Sequence, residues 1–230
     1  MKTLGIVGGI APGSTIDYYR LIIASYREQT GDGSYPSILI NSIDLARMLN
    51  LVGAGRLPEL TTYLRAEVER LARAGADFGL LASNTPHIVF EELAREAPIP
   101  LLSIVEASRD AAVELGLRAV GLLGTRFTMQ GRFYPAVFAK RGIAVRAPRA
   151  EDLAYVHEKY MQELVPGEFR PDTLGEFLAI IDRLKQDGVE GVLLAGTELP
   201  LLLRDTTNAS VPLLDTTRIH VRRAVAELLA

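Results

Sequence analysis

The sequence predicts an α/β protein built from two related halves, each with a parallel sheet. Short runs rich in Val, Ile and Leu alternate with longer segments of helical periodicity, which is typical of a parallel sheet covered by helices on both faces. Segments of the first half recur in the second half at an offset of about 113 residues. The chain has 230 residues and 48% hydrophobic content, enough for one large core or two small ones.

The apolar runs are predicted to be strands because a strand buried on both faces reads as a continuous hydrophobic segment. The predicted strands are Leu4–Val7, Ser37–Asn41, Phe78–Ala82, Leu101–Ser103, Ala119–Leu123, Ala144–Arg146, Gly191–Leu194 and Pro212–Leu214. The segments between them have one apolar face at helical spacing. The predicted helices are Thr15–Gln29, Pro58–Ala74, Val89–Glu96, Val105–Leu115, Met129–Arg141, Ala154–Leu164, Leu174–Gln186 and Arg218–Leu229.

The internal repeat consists of three pairs of segments in the same order. The pairs are Leu4–Gly9 with Val120–Thr125, Leu80–Thr85 with Leu193–Glu198, and Ala97–Leu102 with Ala209–Leu214. Three matches at nearly constant offset indicate a duplication with its boundary near Leu117. We therefore expect an N-terminal α/β half, 1–117, and a C-terminal α/β half, 118–230, with the C-terminal helix able to pack across.

The matched loops follow the carboxyl ends of predicted strands, where open parallel sheets bind their ligands. We expect the loops of the two halves to face each other with a small-molecule ligand between them. The candidate binding residues in or near these loops are Gly9, Ile10, Ser14, Arg47, Asn84, Thr85, Thr125, Thr128 and Thr197. Their hydroxyl, amide and guanidinium groups are suited to a carboxylate or an ammonium group.

The glycine loop after the first strand does not have the spacing of a Walker or dinucleotide motif. Ser14 or Thr15 is expected to cap the following helix, and the loop is either an anion-binding loop or an ordinary tight turn. Arg47, after the second strand, is a candidate clamp for a side-chain carboxylate.

Two ionisable residues in the loops are candidate acids or bases. His87 begins a predicted helix and is either an acid–base group or a structural histidine. Glu198 acts as a general base if burial raises its pKa, or else pairs with an arginine or with a ligand ammonium. Tyr160, on an amphipathic helix, is predicted to be a packing or solvated position.

Composition excludes several functions. The net charge of −3 and the pI near 5.7 argue against a nucleic-acid partner or an anionic membrane surface. No apolar segment reaches the length of a membrane span, and no secretory signal is recognisable, so a cytoplasmic protein is expected. The chain contains no cysteine and three widely separated histidines, so we predict no disulfide and no metal site.

These motifs resemble the aspartate/glutamate racemase family along the whole chain. The matching segments are Gly8-Gly9, Ser14-Thr15, Tyr18-Tyr19-Arg20, Asn84-Thr85 with His87, Gly121–Thr128, Thr197-Glu198 and Leu214–His220. The resemblance implies a pseudosymmetric two-domain α/β fold, a homodimer and a small-molecule substrate. It also implies an isomerase that inverts acidic amino acids with two cysteines and no cofactor.

The sequence departs from the family at both of those cysteines. Ser83 stands where the first cysteine precedes Asn-Thr, and Gly196 stands where the second precedes Thr-Glu. Serine titrates far above a thiol and needs an assisting base such as His87, while Gly196 offers only its backbone amide. Loss of one acid–base group is expected to lower a rate by about 10²–10⁴.

Three functions therefore remain open from the sequence. The first is an amino-acid racemase in which His87 and Glu198 are the substitute bases. The second is a one-base lyase, decarboxylase or isomerase of a small carboxylic acid. The third is a non-catalytic protein that binds an amino acid or a dicarboxylate.

Overall fold

The computed structural model describes residues 2–203, 206 and 209–230. The chain divides into two compact units. The first contains the residues up to Ile104 together with Thr217–Ala230, and the second is Val105–Thr216. None of the helices in the described part of the chain is long and apolar enough to cross a membrane.

The first unit is built around a parallel sheet. Its strands are β1 (Thr3–Gly8), β2 (Ser37–Ser42), β3 (Phe78–Leu81) and β4 (Leu101–Leu102), in the order β2-β1-β3-β4. Its helices are α1 (Pro12–Thr30), α2 (Leu45–Gly53), α3 (Leu57–Arg73), a 3₁₀ helix (Thr85–Val89), α4 (Phe90–Glu96) and the start of α5 (Ile104–Glu114). β1 and β3 are the central strands and are buried almost throughout, as their apolar sequences require.

The second unit repeats this plan. Its strands are β5 (Ala119–Gly124), β6 (Ala144–Arg146), β7 (Gly191–Ala195) and β8 (Leu213–Asp215), parallel and in the order β6-β5-β7-β8. Its helices include α6 (Arg126–Gln130), α7 (Phe133–Ala139), α8 (Ala150–Lys159), a π helix (Tyr160–Leu164), α9 (Pro171–Gln186) and α10 (Leu199–Leu203). Two four-stranded parallel sheets with flanking helices confirm the predicted α/β class.

The unit boundaries differ from those of the sequence repeat. The repeat places the boundary near Leu117, whereas the contacts assign residues from Val105 onward to the second unit. The contacts also assign most of α11 (Thr216–Leu229) to the first unit. Val221, Val225 and Leu228 pack in the same core as residues of β1 and α1, because the apolar face of the final helix is buried there.

Several helices also differ from the sequence prediction. The helices α2 and α10 and the 3₁₀ helix were not predicted, since they are short segments following strands. The predicted helix Met129–Arg141 is two helices that break at Gly131, where the backbone becomes extended. The predicted helix Ala154–Leu164 begins earlier, at Ala150, and its last five residues are a π helix.

Candidate active-site loops

In the first unit, the loops after β1 and β3 lie side by side. These strands are paired, with Val7 opposite Leu81, so the segments that follow them start at the same edge of the sheet. The Ser14 hydroxyl donates to the carbonyl of Ala82 over 3.2 Å and joins the two loops. Ser14, a candidate binding residue, is 2% exposed, and its hydroxyl links the two loops.

The loop after β1 requires glycine at position 9. Gly9 has a φ of 82°, and a Cβ there would lie 2.5 Å from the Ile43 carbonyl oxygen. The Gly9 amide donates to the Thr15 hydroxyl over 2.8 Å, while Ile10 is buried. The predicted caps Ser14 and Thr15 are wrong, because α1 begins at Pro12 and its N-cap is Ala11. Proline suits a first helical position, since the amide hydrogen that it lacks would have no intrahelical partner.

The loop after β3 contains Ser83, Asn84 and Thr85. Ser83 is half-buried, whereas Asn84 and Thr85 are buried at 3% and 6% exposure. The Ser83 carbonyl accepts a hydrogen bond from Nδ1 of His87 over 2.9 Å. The polar groups of this loop are therefore held close to the end of β3 by local hydrogen bonds.

His87 has both ring nitrogens occupied. Its Nε2 accepts from the Ile104 amide over 3.2 Å, which requires the proton to be on Nδ1, and the ring stacks on Phe90 with centroids 4.8 Å apart. Burial, followed by the nearby His220 ring, lowers the pKa of His87 to about 3. A neutral histidine whose only lone pair is engaged by a backbone amide is poorly suited to remove a substrate proton.

Arg47 lies in the first turn of α2. The Asp44 carboxylate caps this helix and accepts from the amides of Ala46 and Arg47 over 2.9 and 3.3 Å. The Arg47 guanidinium lies 4.2 Å from the Tyr63 ring centroid, on the wall of an open surface cavity of about 790 Å³. Its role as a carboxylate clamp stays a prediction.

In the second unit, the loops after β5 and β7 are also neighbours. Gly124 is paired with Ala195, so Thr125 and Gly196 both follow the same edge of the sheet. The Thr125 hydroxyl caps α6, lying 3.4 Å from the Thr128 amide and 3.2 Å from the Thr128 hydroxyl. Thr128 is fully buried and Thr125 is partly exposed. Of these two candidates, Thr125 is the one open to solvent.

Gly196 has no room for a side chain. A Cβ at this position would lie 2.5, 2.8 and 2.9 Å from Cε2, the hydroxyl oxygen and Cζ of Tyr160. Tyr160 is the first residue of the π helix and is 6% exposed. The space that a cysteine side chain would need is filled by this aromatic ring.

Glu198, two residues beyond Gly196, is bound by two hydroxyl groups. The Tyr160 hydroxyl donates to one carboxylate oxygen, and the Thr197 hydroxyl donates to the same oxygen over 2.8 Å. Burial, followed by the charge of Glu198, raises the pKa of Tyr160 well above its ordinary value, so the phenol is a neutral donor. Glu198 remains partly exposed.

Sequence reasoning assigned Tyr160 to a packing or solvated position; the residue does pack in a core, but its hydrogen bond to Glu198 was missed. The residue is distant in sequence from the loop that it contacts, and its spacing on the helix is that of an ordinary core residue. The available signal was the glycine at position 196, which implies that a neighbouring group occupies the space beside it. Among the described residues, no group of three or more His, Asp or Glu side chains is arranged to hold a metal ion.

The fold and these loops define a duplicated α/β protein with hydroxyl, amide and carboxylate groups at the carboxyl edges of two parallel sheets. The family model described as Asp/Glu/hydantoin racemase matches residues 7–224. The chain belongs to this family of isomerases, as its motifs predicted.

Similar proteins cover essentially the whole chain. A candidate Asp/Glu racemase from Yersinia pestis has 32% identity and a TM-score of 0.92, with 100% of both chains covered. An aspartate racemase homologue from Pyrococcus horikoshii OT3 has 32% identity and a TM-score of 0.86, again over 100% of both chains. The broad specificity amino-acid racemase RacX of Bacillus subtilis (strain 168) is 24% identical over 99% of this chain and 98% of its own length.

Proposed function

We propose that this chain is a cofactor-independent isomerase of amino acids in which Glu198, rather than a thiol, is the acid–base group. The observation that carries the proposal is the hydrogen-bonded carboxylate of Glu198. It lies two residues beyond Gly196, the position at which the resemblance implies a cysteine. Glu198 is partly exposed, so a ligand in the loop can reach it.

The remaining loop residues supply binding rather than proton transfer. Ser83, Asn84, Thr85, Thr125 and Thr197 carry hydroxyl or amide groups that can hydrogen-bond the carboxylate and ammonium of an amino acid. The repeated sequence places such groups in corresponding loops of each half. The name of RacX, a broad specificity amino-acid racemase, supports amino acids as the substrate class.

One-base chemistry is the second candidate function. It is favoured by the engagement of both His87 nitrogens, which leaves Ser83 without that histidine as an assisting base. A single carboxylate can remove a proton from one face of an α-carbon and return it there, and the same group in its carboxylic acid form can protonate the carbanion left when a small carboxylic acid loses carbon dioxide. Inversion needs a second proton donor on the opposite face, and in the racemase solvent water fills that role, since both His87 nitrogens are engaged by the backbone.

The test is solvent deuterium exchange at the α-carbon of a panel of L- and D-amino acids, followed by proton NMR. Glu198→Gln is compared with Glu158→Gln, which makes the same chemical change at an exposed position of the same unit. We expect exchange in the wild type and in Glu158→Gln, and a loss of about 10²-fold or more in Glu198→Gln. Equal rates in both variants would refute the assignment of Glu198.

The stereochemical course separates the two candidates. Exchange with inversion supports the racemase, and exchange with retention supports one-base chemistry. Binding of an amino acid without any exchange, measured by calorimetry, would instead indicate the non-catalytic binding protein. The proposal also includes a cytoplasmic homodimer, and light scattering of the purified protein tests the oligomeric state.

A further inference from the structure

The contact between Tyr160 and Gly196 is steric and specific. A Cβ on Gly196 would overlap three atoms of the phenol ring, the nearest at 2.5 Å. By contrast, a Cβ on Gly175, in α9 of the same unit, would meet nothing within 4 Å. The Tyr160 ring can therefore lie here only because the residue at position 196 lacks a side chain.

The position of the phenol ring is set by the π helix that Tyr160 begins and by the core around it. Tyr160 packs in the core that includes Val156, Leu164 and Phe177. The π helix is fixed by Glu163, which is 4% exposed and accepts from Lys159 and from the Thr173 hydroxyl, each over 2.5 Å. π-helical turns inside longer helices occur frequently at functional sites. The hydroxyl of Tyr160 is thus presented to Glu198 from a preorganised position.

We propose that Tyr160 occupies the space of the second family thiol and is a positioning residue that orients the Glu198 carboxylate. This inference rests on the proposed function, in which Glu198 is the acid–base group. It adds that, where the resemblance implies a thiol, this chain has a tyrosine ring that donates to the glutamate of the family's own Thr-Glu motif, and that the glycine at position 196 admits the ring.

The proton transfer between the substrate and Glu198, on one face of the α-carbon, is balanced. The substrate Cα–H bond breaks, a Glu198 O–H bond forms, and the electron pair stays on the substrate carbanion, delocalised into its carboxylate group. The reverse transfer restores the C–H bond with the exchanged proton. The Tyr160 proton remains on the phenol throughout, because its pKa is raised well above the ordinary value by burial and by Glu198.

The first test does not depend on activity. With tyrosine labelled at Cζ, carbon NMR titration is expected to show that the Tyr160 signal, assigned from Tyr160→Phe, stays protonated to higher pH than free tyrosine does. Glu198→Gln should shift its titration to lower pH, since the charge that opposes ionisation is removed. If the Tyr160 phenol titrated at the same pH in Glu198→Gln as in the wild type, the contact between Tyr160 and Glu198 would be overturned.

The second test measures the steric relation by thermal unfolding. Gly196→Ala is expected to lower the Tm by at least several degrees, whereas Gly175→Ala should leave it equal or higher. In a Tyr160→Ala background, Gly196→Ala should have a much smaller effect. In a Tyr160→Phe background it should keep its full effect, because the ring remains. If Gly196→Ala lowered the Tm equally in the wild type and in the Tyr160→Ala variant, the proposal that the ring fills the space beside position 196 would be overturned.

The third test compares Tyr160→Phe with Tyr155→Phe in the exchange reaction. We expect the loss of the hydrogen bond to lower kcat by about tenfold, with little change in KM and a shifted pH profile. Tyr155→Phe, on the same helix, should retain the wild-type values. An unchanged kcat and pH profile in Tyr160→Phe would overturn the positioning role. Absence of exchange in the wild type would overturn the proposed function, and the NMR titration would still decide the contact.

Discussion

The first unit should lose stability between pH 7.5 and pH 5 because it buries two neutral histidines. His87 is 2% exposed and His220 is 0% exposed, and their ring centroids are 6.3 Å apart. Nδ1 of His220 pairs with the Tyr18 hydroxyl over 2.9 Å, and its Nε2 pairs with the Leu102 carbonyl over 3.1 Å. Since a carbonyl only accepts, the His220 proton is on Nε2, and Nδ1 accepts from Tyr18. Protonation of His87 would place an N–H group opposite the Ile104 amide, and protonation of His220 would place one opposite the Tyr18 hydroxyl.

The size of the effect follows from the pKa values. Burial lowers the pKa of His220 to about 4, and burial together with His220 lowers that of His87 to about 3, from an ordinary value of 6.5. Between 6.5 and these values the unfolded chain binds more protons than the folded one, so stability is complete above pH 6.5 and falls as the pH decreases. At pH 5 each histidine should lower the free energy of unfolding by about 2 kcal/mol, and the two together by about 4 kcal/mol.

Urea unfolding followed by far-ultraviolet circular dichroism measures this difference, since the chain has no tryptophan. His220→Gln should reduce the loss between pH 7.5 and pH 5 to about half, whatever its effect on stability at neutral pH. His157→Gln is the control, because His157 is only partly buried and should contribute less. A wild-type stability that is flat over this pH range, or a His220→Gln variant with the full wild-type loss, would refute the reasoning.

Two further predictions concern the loops. Gly9→Ala should destabilise the protein by about 2 kcal/mol or more in urea unfolding, because it combines a positive φ with overlap on the backbone, while Gly13→Ala, at an open position, should be near neutral. Asn84→Ala and Thr125→Ala should each weaken amino-acid binding by about fivefold or more in calorimetry, since a ligand group would lose its hydrogen-bond partner. Unchanged affinity in both variants would contradict the placement of the ligand in these loops.

The absence of cysteine limits the acid–base groups that this chain can offer a substrate. A two-base racemase needs an acid–base group on each face of the substrate carbon. Ser83 lacks the assistance expected from His87, whose nitrogens bond to the backbone at Ser83 and Ile104. The carboxylate of Glu198 is therefore the acid–base candidate that the loop geometry favours, and the stereochemistry of exchange becomes the decisive observation.

Much of the fold was predictable from local sequence. All eight predicted strands lie within a residue or two of the observed ones. The central strands were recognisable because buried parallel strands are continuous apolar runs between turns. The repeat correctly paired the Gly8 loop with the Gly124 loop, since β1 and β5 occupy the same central place in their sheets. The start of α1 was wrong by three residues, because the Thr15 hydroxyl binds the Gly9 amide instead of capping its own helix.

The sequence by itself determined the α/β class, the family and the absence of thiols, since these depend on residue type, order and periodicity. Only the tertiary structure decided which side chain lies beside Gly196 and what engages the two nitrogens of His87. Tyr160 and Glu198 are 38 residues apart, and His87 and Ile104 are 17 apart. Contacts of this kind depend on how helices pack against strand ends, and no local pattern encodes that packing.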